Sequence, residues 1–289
     1  MTLPFTYATA PDQHTAVLGV KLAYRSLGVT QGVPLLLNTH FRGTMDHWDP
    51  VFLDSIAAKR HVILFDNAGV GRSEGEVPLT YAGWAKYGSG LMAALGIEQY
   101  DVFGFSMGGF VAQLIALEDP LHVRRLILAG TGPSAGDGVM GSAPGPFEEL
   151  LSASDEQSNH AAFVKHFFSH SAAKQQKGEQ WWERMTHARS NRSDYVGAEG
   201  TRCQVSALQR FFSPEHAAEG TYDRLDQIKI PVLIANGSND VLIATDNSIV
   251  LWRRLINAPT HLHLYPDSGH GFLDEFSEHF SQLINDFLE

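Results

Sequence analysis

The chain has 289 residues, 44% hydrophobic and 18% charged, with a net charge of −11 and one cysteine, Cys203. That length supports a large α/β domain with a full core, roughly 75% of the unfolded surface being buried at this size. The acidic balance argues against nucleic acid and anionic membrane as partners, the lone cysteine excludes an internal disulfide, and no run reaches the roughly 18 apolar residues of a spanning helix.

The opening MTLPFTYATAPDQHT lacks a basic segment followed by an apolar one, so no secretory signal is read and a cytoplasmic protein is expected. Strand character runs over 16–28. Short apolar runs follow at 33–39, 61–66, 101–106, 125–130, 230–237 and 260–266. Continuous runs of this kind, bounded by turn residues, suit strands covered on both faces. Helical patterns lie between them at 51–59, 81–95, 109–118, 243–256 and 276–288. The alternation predicts a mainly parallel, doubly wound α/β sheet of about eight strands. From 134 to 222 no strong strand run is present. A Gly/Pro-rich stretch there leads into amphipathic segments such as AAFVKHFFSH, EQWWERMTHARS and CQVSALQRFF, read as a helical lid inserted between two strands. The expected division is therefore a core of 1–133 and 223–289 and a lid of 134–222.

Gly104-Phe105-Ser106-Met107-Gly108 reads G-x-S-x-G, between the run at 101–106 and the helix at 109–118. In a strand-to-helix context this motif marks a serine nucleophile on a strained turn, with glycines letting strand and helix approach. The turn lifts the hydroxyl above the strand ends and aims the following amides at the same space. A serine hydroxyl is a weak nucleophile at neutral pH and needs an adjacent base. Among fourteen histidines, His270 stands out in YPDSGHGF, between glycines on a turn past the last strand run. His160, His166, His170 and His187 are expected on the lid surface, and His261 and His263 alternate along a strand. The base needs a carboxylate that fixes its tautomer. Asp240, in ANGSNDVLIAT, follows the preceding strand run. Asp267 is its rival, but a carboxylate three residues from His270 more often caps its own turn. Asp240 is preferred.

The order Ser106, Asp240, His270, each just past a strand run, resembles the α/β-hydrolase fold over nearly the whole chain. Members of that family commonly carry a helical lid between strands six and seven, where the strand-free stretch lies. They also carry an H-G-x-x-G segment after strand three that supplies one oxyanion-hole amide. Here the segment reads LLLNTHFRGTMDHW. Aligned on Gly43, Thr39 and His40 take the usual His and Gly positions, and the resemblance implies that the Phe41 amide pairs with that of Met107. In FDNAGVGRSEG, Ala68 stands where the family often has arginine. Asp66 and the neighbouring glycines read as a structural loop.

A serine at the elbow argues against the haloalkane dehalogenases and epoxide hydrolases of this fold, which use aspartate. With no H-E-x-x-H pair, no cysteine cluster and no G-K-[ST] phosphate loop, neither metal nor cofactor is expected. The expected activity is hydrolysis of a carboxylic ester or lactone through an acyl-enzyme, on a small-molecule substrate, by a monomer or homodimer. His40, Arg42, Trp48, Trp181 and Trp182 are the candidate pocket residues, the lid tryptophans suiting the lid's own core equally. Carbon–carbon hydrolases and cofactor-free perhydrolases share the triad. A small-molecule receptor with little turnover is the alternative of another class.

Overall fold

A computed structural model describes residues 4–289 of the chain. Its strands are β1 (Gln13–Val17), β2 (Val20–Gly28), β3 (Leu35–Asn38), β4 (His61–Phe65), β5 (Tyr100–Phe105), β6 (Val123–Ala129), β7 (Val232–Gly237) and β8 (Thr260–Tyr265). They form one eight-stranded sheet in the order β1-β2-β4-β3-β5-β6-β7-β8. β2 runs antiparallel to β1 and to β4, and every later pair is parallel. The single strand expected over 16–28 is corrected to a hairpin. Leu18 and Gly19 turn it at φ 51° and 82°, the consecutive left-handed pair whose twist suits a two-residue hairpin loop.

Period-two alternation divides the strand side chains between two cores. Leu35, Leu37, Phe103, Phe105, Ile127, Ala129, Leu233 and Ala235 enter one cluster, and Leu36, Val102, Leu126, Leu128, Val232 and Ile234 the other. Helix α1 (Pro50–Ala57), the short α9 (Phe272–Glu275) and α10 (Ser277–Phe287) cover the first face. Helices α2 (Tyr81–Ala94), α3 (Met107–Glu118) and α8 (Thr245–Arg254) cover the second. Both faces are covered, which is why the central strands read as unbroken apolar runs.

The segment between β6 and β7 carries α4 (Pro146–Ser152), α5 (Glu156–Phe167), α6 (Ala172–His187) and α7 (Ala198–Phe211), then 3-10 turns at Pro214–Glu219 and Tyr222–Gln227. Helix α4 lies just past the Gly/Pro-rich stretch, started by Pro146 and by the Gly145 amide donating to Glu148 Oε2 at 2.8 Å. Phe163, Phe167, Trp181 and Met185 join the same cluster as Phe105, so the inserted helices share the sheet's core. His166 is not on the surface: it is buried, with Nε2 3.0 Å from Glu149 Oε2, joining α5 to α4.

A buried ion network fastens the insertion to the sheet. The Arg25 side chain is wholly buried and donates to Asp46 Oδ1 and Asp12 Oδ1, each at 2.6 Å. Asp46 Oδ2 accepts from the Ser193 amide at 2.8 Å, in the loop between α6 and α7. Among the described residues no helix is long and apolar enough to cross a membrane.

Candidate active site

The parallel register sets Asn38, at the end of β3, beside Gly104 of β5. The loop after β3 and the turn after β5 therefore adjoin. Ser106 makes that turn at φ 58° and ψ −124°, with α3 starting at the next residue. A non-glycine residue in such a conformation carries about 1–3 kcal/mol of strain and persists only where its surroundings hold it. Here the Ser106 amide donates to Ala129 O, and Thr131 Oγ1 donates to Ser106 O, both at 2.9 Å. The glycines are imposed by proximity. A Cβ on Gly108 would lie 2.1 Å from Asn38 O, one on Gly104 2.3 Å from Gly108 O, and one on Gly109 2.4 Å from Thr131 Oγ1.

Asp240 follows β7 and His270 follows β8, and the two meet. His270 Nδ1 lies 2.7 Å from Asp240 Oδ2, with both side chains essentially buried. Asp240 Oδ1 accepts from the Leu242 and Ile243 amides, each at 2.9 Å, which fixes the carboxylate. The carboxylate accepts a hydrogen bond from Nδ1–H, which leaves Nε2 with the free lone pair. Asp267 is exposed, and its Oδ1 accepts instead from Asn239 Nδ2 at 3.2 Å. The His270 ring packs between those of Phe105 and Phe167, at centroid distances of 4.9 and 5.0 Å. The end of α5 closes over it, the Gly271 amide donating to Phe167 O at 2.6 Å. A Cβ on Gly269 would sit 2.7 Å from that same oxygen.

Ser106 and His270 line one cavity of about 160 Å³, together with His40, Phe41 and Met107. Among the described residues the two are not joined by a hydrogen bond. The Phe41 and Met107 amides have no protein acceptor among the described residues. The walls are apolar, with Tyr81, Phe110, Phe147, Phe163, Phe167 and Phe212 prominent. His40 Nδ1 lies 2.9 Å from Phe41 O, and burial lowers its pKa to about 4, so the ring is neutral at neutral pH. Beneath this loop the buried Asp66 accepts from the Met45 amide at 2.7 Å and the Arg72 amide at 2.9 Å, which is a structural bracing.

The other candidate pocket residues lie elsewhere. Trp48 packs against Phe52 and Phe103 in the core under the sheet. Trp181 stacks on Phe167 inside the inserted helices. Arg42 and Trp182 line a separate cleft. An aromatic side chain on an amphipathic helix marks burial without marking which burial, so these positions were not separable by type. The same reason hid Tyr81, Phe147, Phe163 and Phe167, which no local motif distinguishes from core.

A mostly parallel sheet that lifts a strained serine toward an Asp–His pair is the architecture of an α/β hydrolase. The chain matches the alpha/beta hydrolase fold family over residues 33–277 and belongs to it. An alpha/beta hydrolase fold protein from Chitinophaga pinensis is 32% identical with a TM-score of 0.86, covering 99% of each chain. A 2-hydroxymuconate semialdehyde hydrolase of Pseudomonas putida is 26% identical over 262 residues, 89% of this chain and 88% of that protein. The enol-lactonase from Burkholderia xenovorans LB400 is 20% identical with a TM-score of 0.74, over 96% of this chain and 98% of that one, a likeness of fold alone.

Proposed function

We propose that this hydrolase cleaves a carboxylic ester or lactone through an acyl-enzyme on Ser106. The observation that carries the reading is the buried Asp240–His270 pair opening onto the same apolar cavity as Ser106. Ser106 Oγ attacks the carbonyl carbon as His270 Nε2 takes its proton. The tetrahedral oxyanion is held by the Phe41 and Met107 amides, whose hydrogens have no acceptor among the described residues. The proton passes from His270 to the leaving alcohol. Water, deprotonated by the same nitrogen, then releases the acid. Asp240 orients the ring and stabilises the imidazolium. Because His40 is neutral, it adds no second positive charge beside His270.

Helices α4–α7, within 134–222, act as the lid, since Phe147, Phe163, Phe167 and Phe212 supply much of the cavity wall. The volume is close to that of an engineered cavity of about 150 Å³ that binds benzene. A compact acyl or aryl group fits without rearrangement, and a long chain requires the lid to move. A second reading, carbon–carbon bond hydrolysis on the same triad, is favoured by the similarity to 2-hydroxymuconate semialdehyde hydrolase.

One panel tests both. p-Nitrophenyl esters of graded length, lactones followed by proton release, and a coloured dienol followed by bleaching are compared in parent and Ser106→Ala. Short esters or lactones are expected to turn over in the parent and not in the variant. Bleaching with no ester or lactone turnover selects the second reading. Turnover retained by Ser106→Ala rejects both.

A further inference from the structure

A second cleft, of about 640 Å³, opens within the inserted helices and has no lining residue in common with the Ser106 cavity. Arg42 lines it and is 4% exposed. Its Nη1 donates to Leu150 O at 2.8 Å and its Nε to Val196 O at 3.4 Å. Among the described residues it forms no ion pair, so a buried charge is met by neutral carbonyls and by the Tyr195 ring, 6.0 Å away at its centroid. Burying a cation without a counter-charge is costly, and an anion at that place would repay it.

Three further features point the same way. Arg42 Nη2 makes no hydrogen bond among the described residues, and Arg42 lines the cleft. Gly197 and Ala198 also line it, at the start of the 14-residue α7, which has no side-chain cap. The free amides and positive end of that helix are open to the cleft. Helix α5 begins at the same cleft but is closed by Asp155, whose Oδ1 accepts from Ser158 N at 2.7 Å. The acids of the cleft, Asp155, Glu156 and Asp194, are all exposed, and Glu156 pairs with Arg192 at 3.5 Å. The charge at depth is therefore positive.

We propose that this cleft binds a small organic acid, its carboxylate held by Arg42 and the α7 amides. The site stands independently of the role given to Ser106. It also borders that cavity: Arg42 follows Phe41, and the Leu150 carbonyl it holds belongs to a residue of the cavity wall. An occupant therefore steadies the partition between the two.

The full chain is titrated calorimetrically with 4-hydroxybenzoate, benzoate and inorganic phosphate, and crystals are soaked with 3-bromo-4-hydroxybenzoate to locate the bromine by anomalous scattering. One saturable site is expected, with the bromine in the cleft beside Arg42. Benzoate should bind comparably, and phosphate more weakly. Arg42→Gln should weaken binding about tenfold or more. Ser106→Ala should bind as the parent does. Bromine beside Ser106 only, phosphate preferred over the aromatic acids, no binding, or undiminished affinity in a folded Arg42→Gln would each overturn the proposal.

Discussion

Ser106 holds a backbone conformation that glycine adopts freely and serine does not. Ser106→Gly is accordingly expected to remove activity while raising stability by about 1 kcal/mol, read from urea unfolding. A variant that is inactive and also destabilised would show that the serine side chain supports the turn. Gly108 is the opposite case. Its missing Cβ lets α3 lie against Asn38 O, so Gly108→Ala should cost about 3 kcal/mol and displace the Met107 amide. Loss of hydrolase turnover beyond the loss of folded protein is the measurement. The Ser106, Asp240 and His270 positions were legible because each sits at a turn past a strand run, where side chains serve little in packing. Trp48 and Trp181 were not, because both aromatic residues satisfy burial in cores that only the packed structure distinguishes.

Among the elements, the inserted helices are held by charge as well as by apolar packing. Asp46 receives Arg25 from β2 and the Ser193 amide from the insertion. Asp46→Ala leaves the buried Arg25 with Asp12 as its remaining carboxylate, at 2.6 Å, and removes the acceptor of the Ser193 amide. Breaking a buried pair by removing one partner costs about 3–5 kcal/mol. That loss should be seen in urea unfolding, with early proteolysis between α6 and α7. Equal protease resistance in parent and variant would count against the anchoring role. The hairpin β1–β2 shows where element reading stops. The segment 16–28 has strand character throughout, and the turn is one Leu-Gly pair within it. Helix α5 gives the counterpart, its apolar residues announcing a helix but not that its last carbonyl closes over His270.

Acidity is felt by the whole molecule, and two buried groups oppose each other. His40 titrates near 4 in the fold because burial disfavours its charged form. Its ordinary value is about 6.5, so the unfolded chain binds its proton first. Its contribution to stability is complete above pH 6.5 and is lost as pH falls through about 4. Asp66 is pushed up to about 6 by burial, so the folded state holds more protons than the unfolded one between its ordinary value of about 4 and 6. Its contribution therefore falls as pH rises across that window. His47, held below its ordinary value by burial, adds to the His40 trend. His40→Gln should reduce the stability lost between pH 7 and pH 4.5 by about 2–3 kcal/mol. Urea midpoints at the two pH values measure it, and an unchanged difference would place the acid sensitivity elsewhere.

Local chemistry in the chain determined that strands and helices alternate, that a serine stands on a glycine-flanked turn, and that a histidine and a carboxylate end the last two strand runs. These follow from backbone sterics and short-range patterning, which a single segment carries by itself. Which aromatic rings wall the cavity, that Arg42 is buried without a counter-charge, and how α5 seats on His270 were decided by tertiary structure. Each depends on segments more than a hundred residues apart meeting at one place, and nothing within either segment specifies the other.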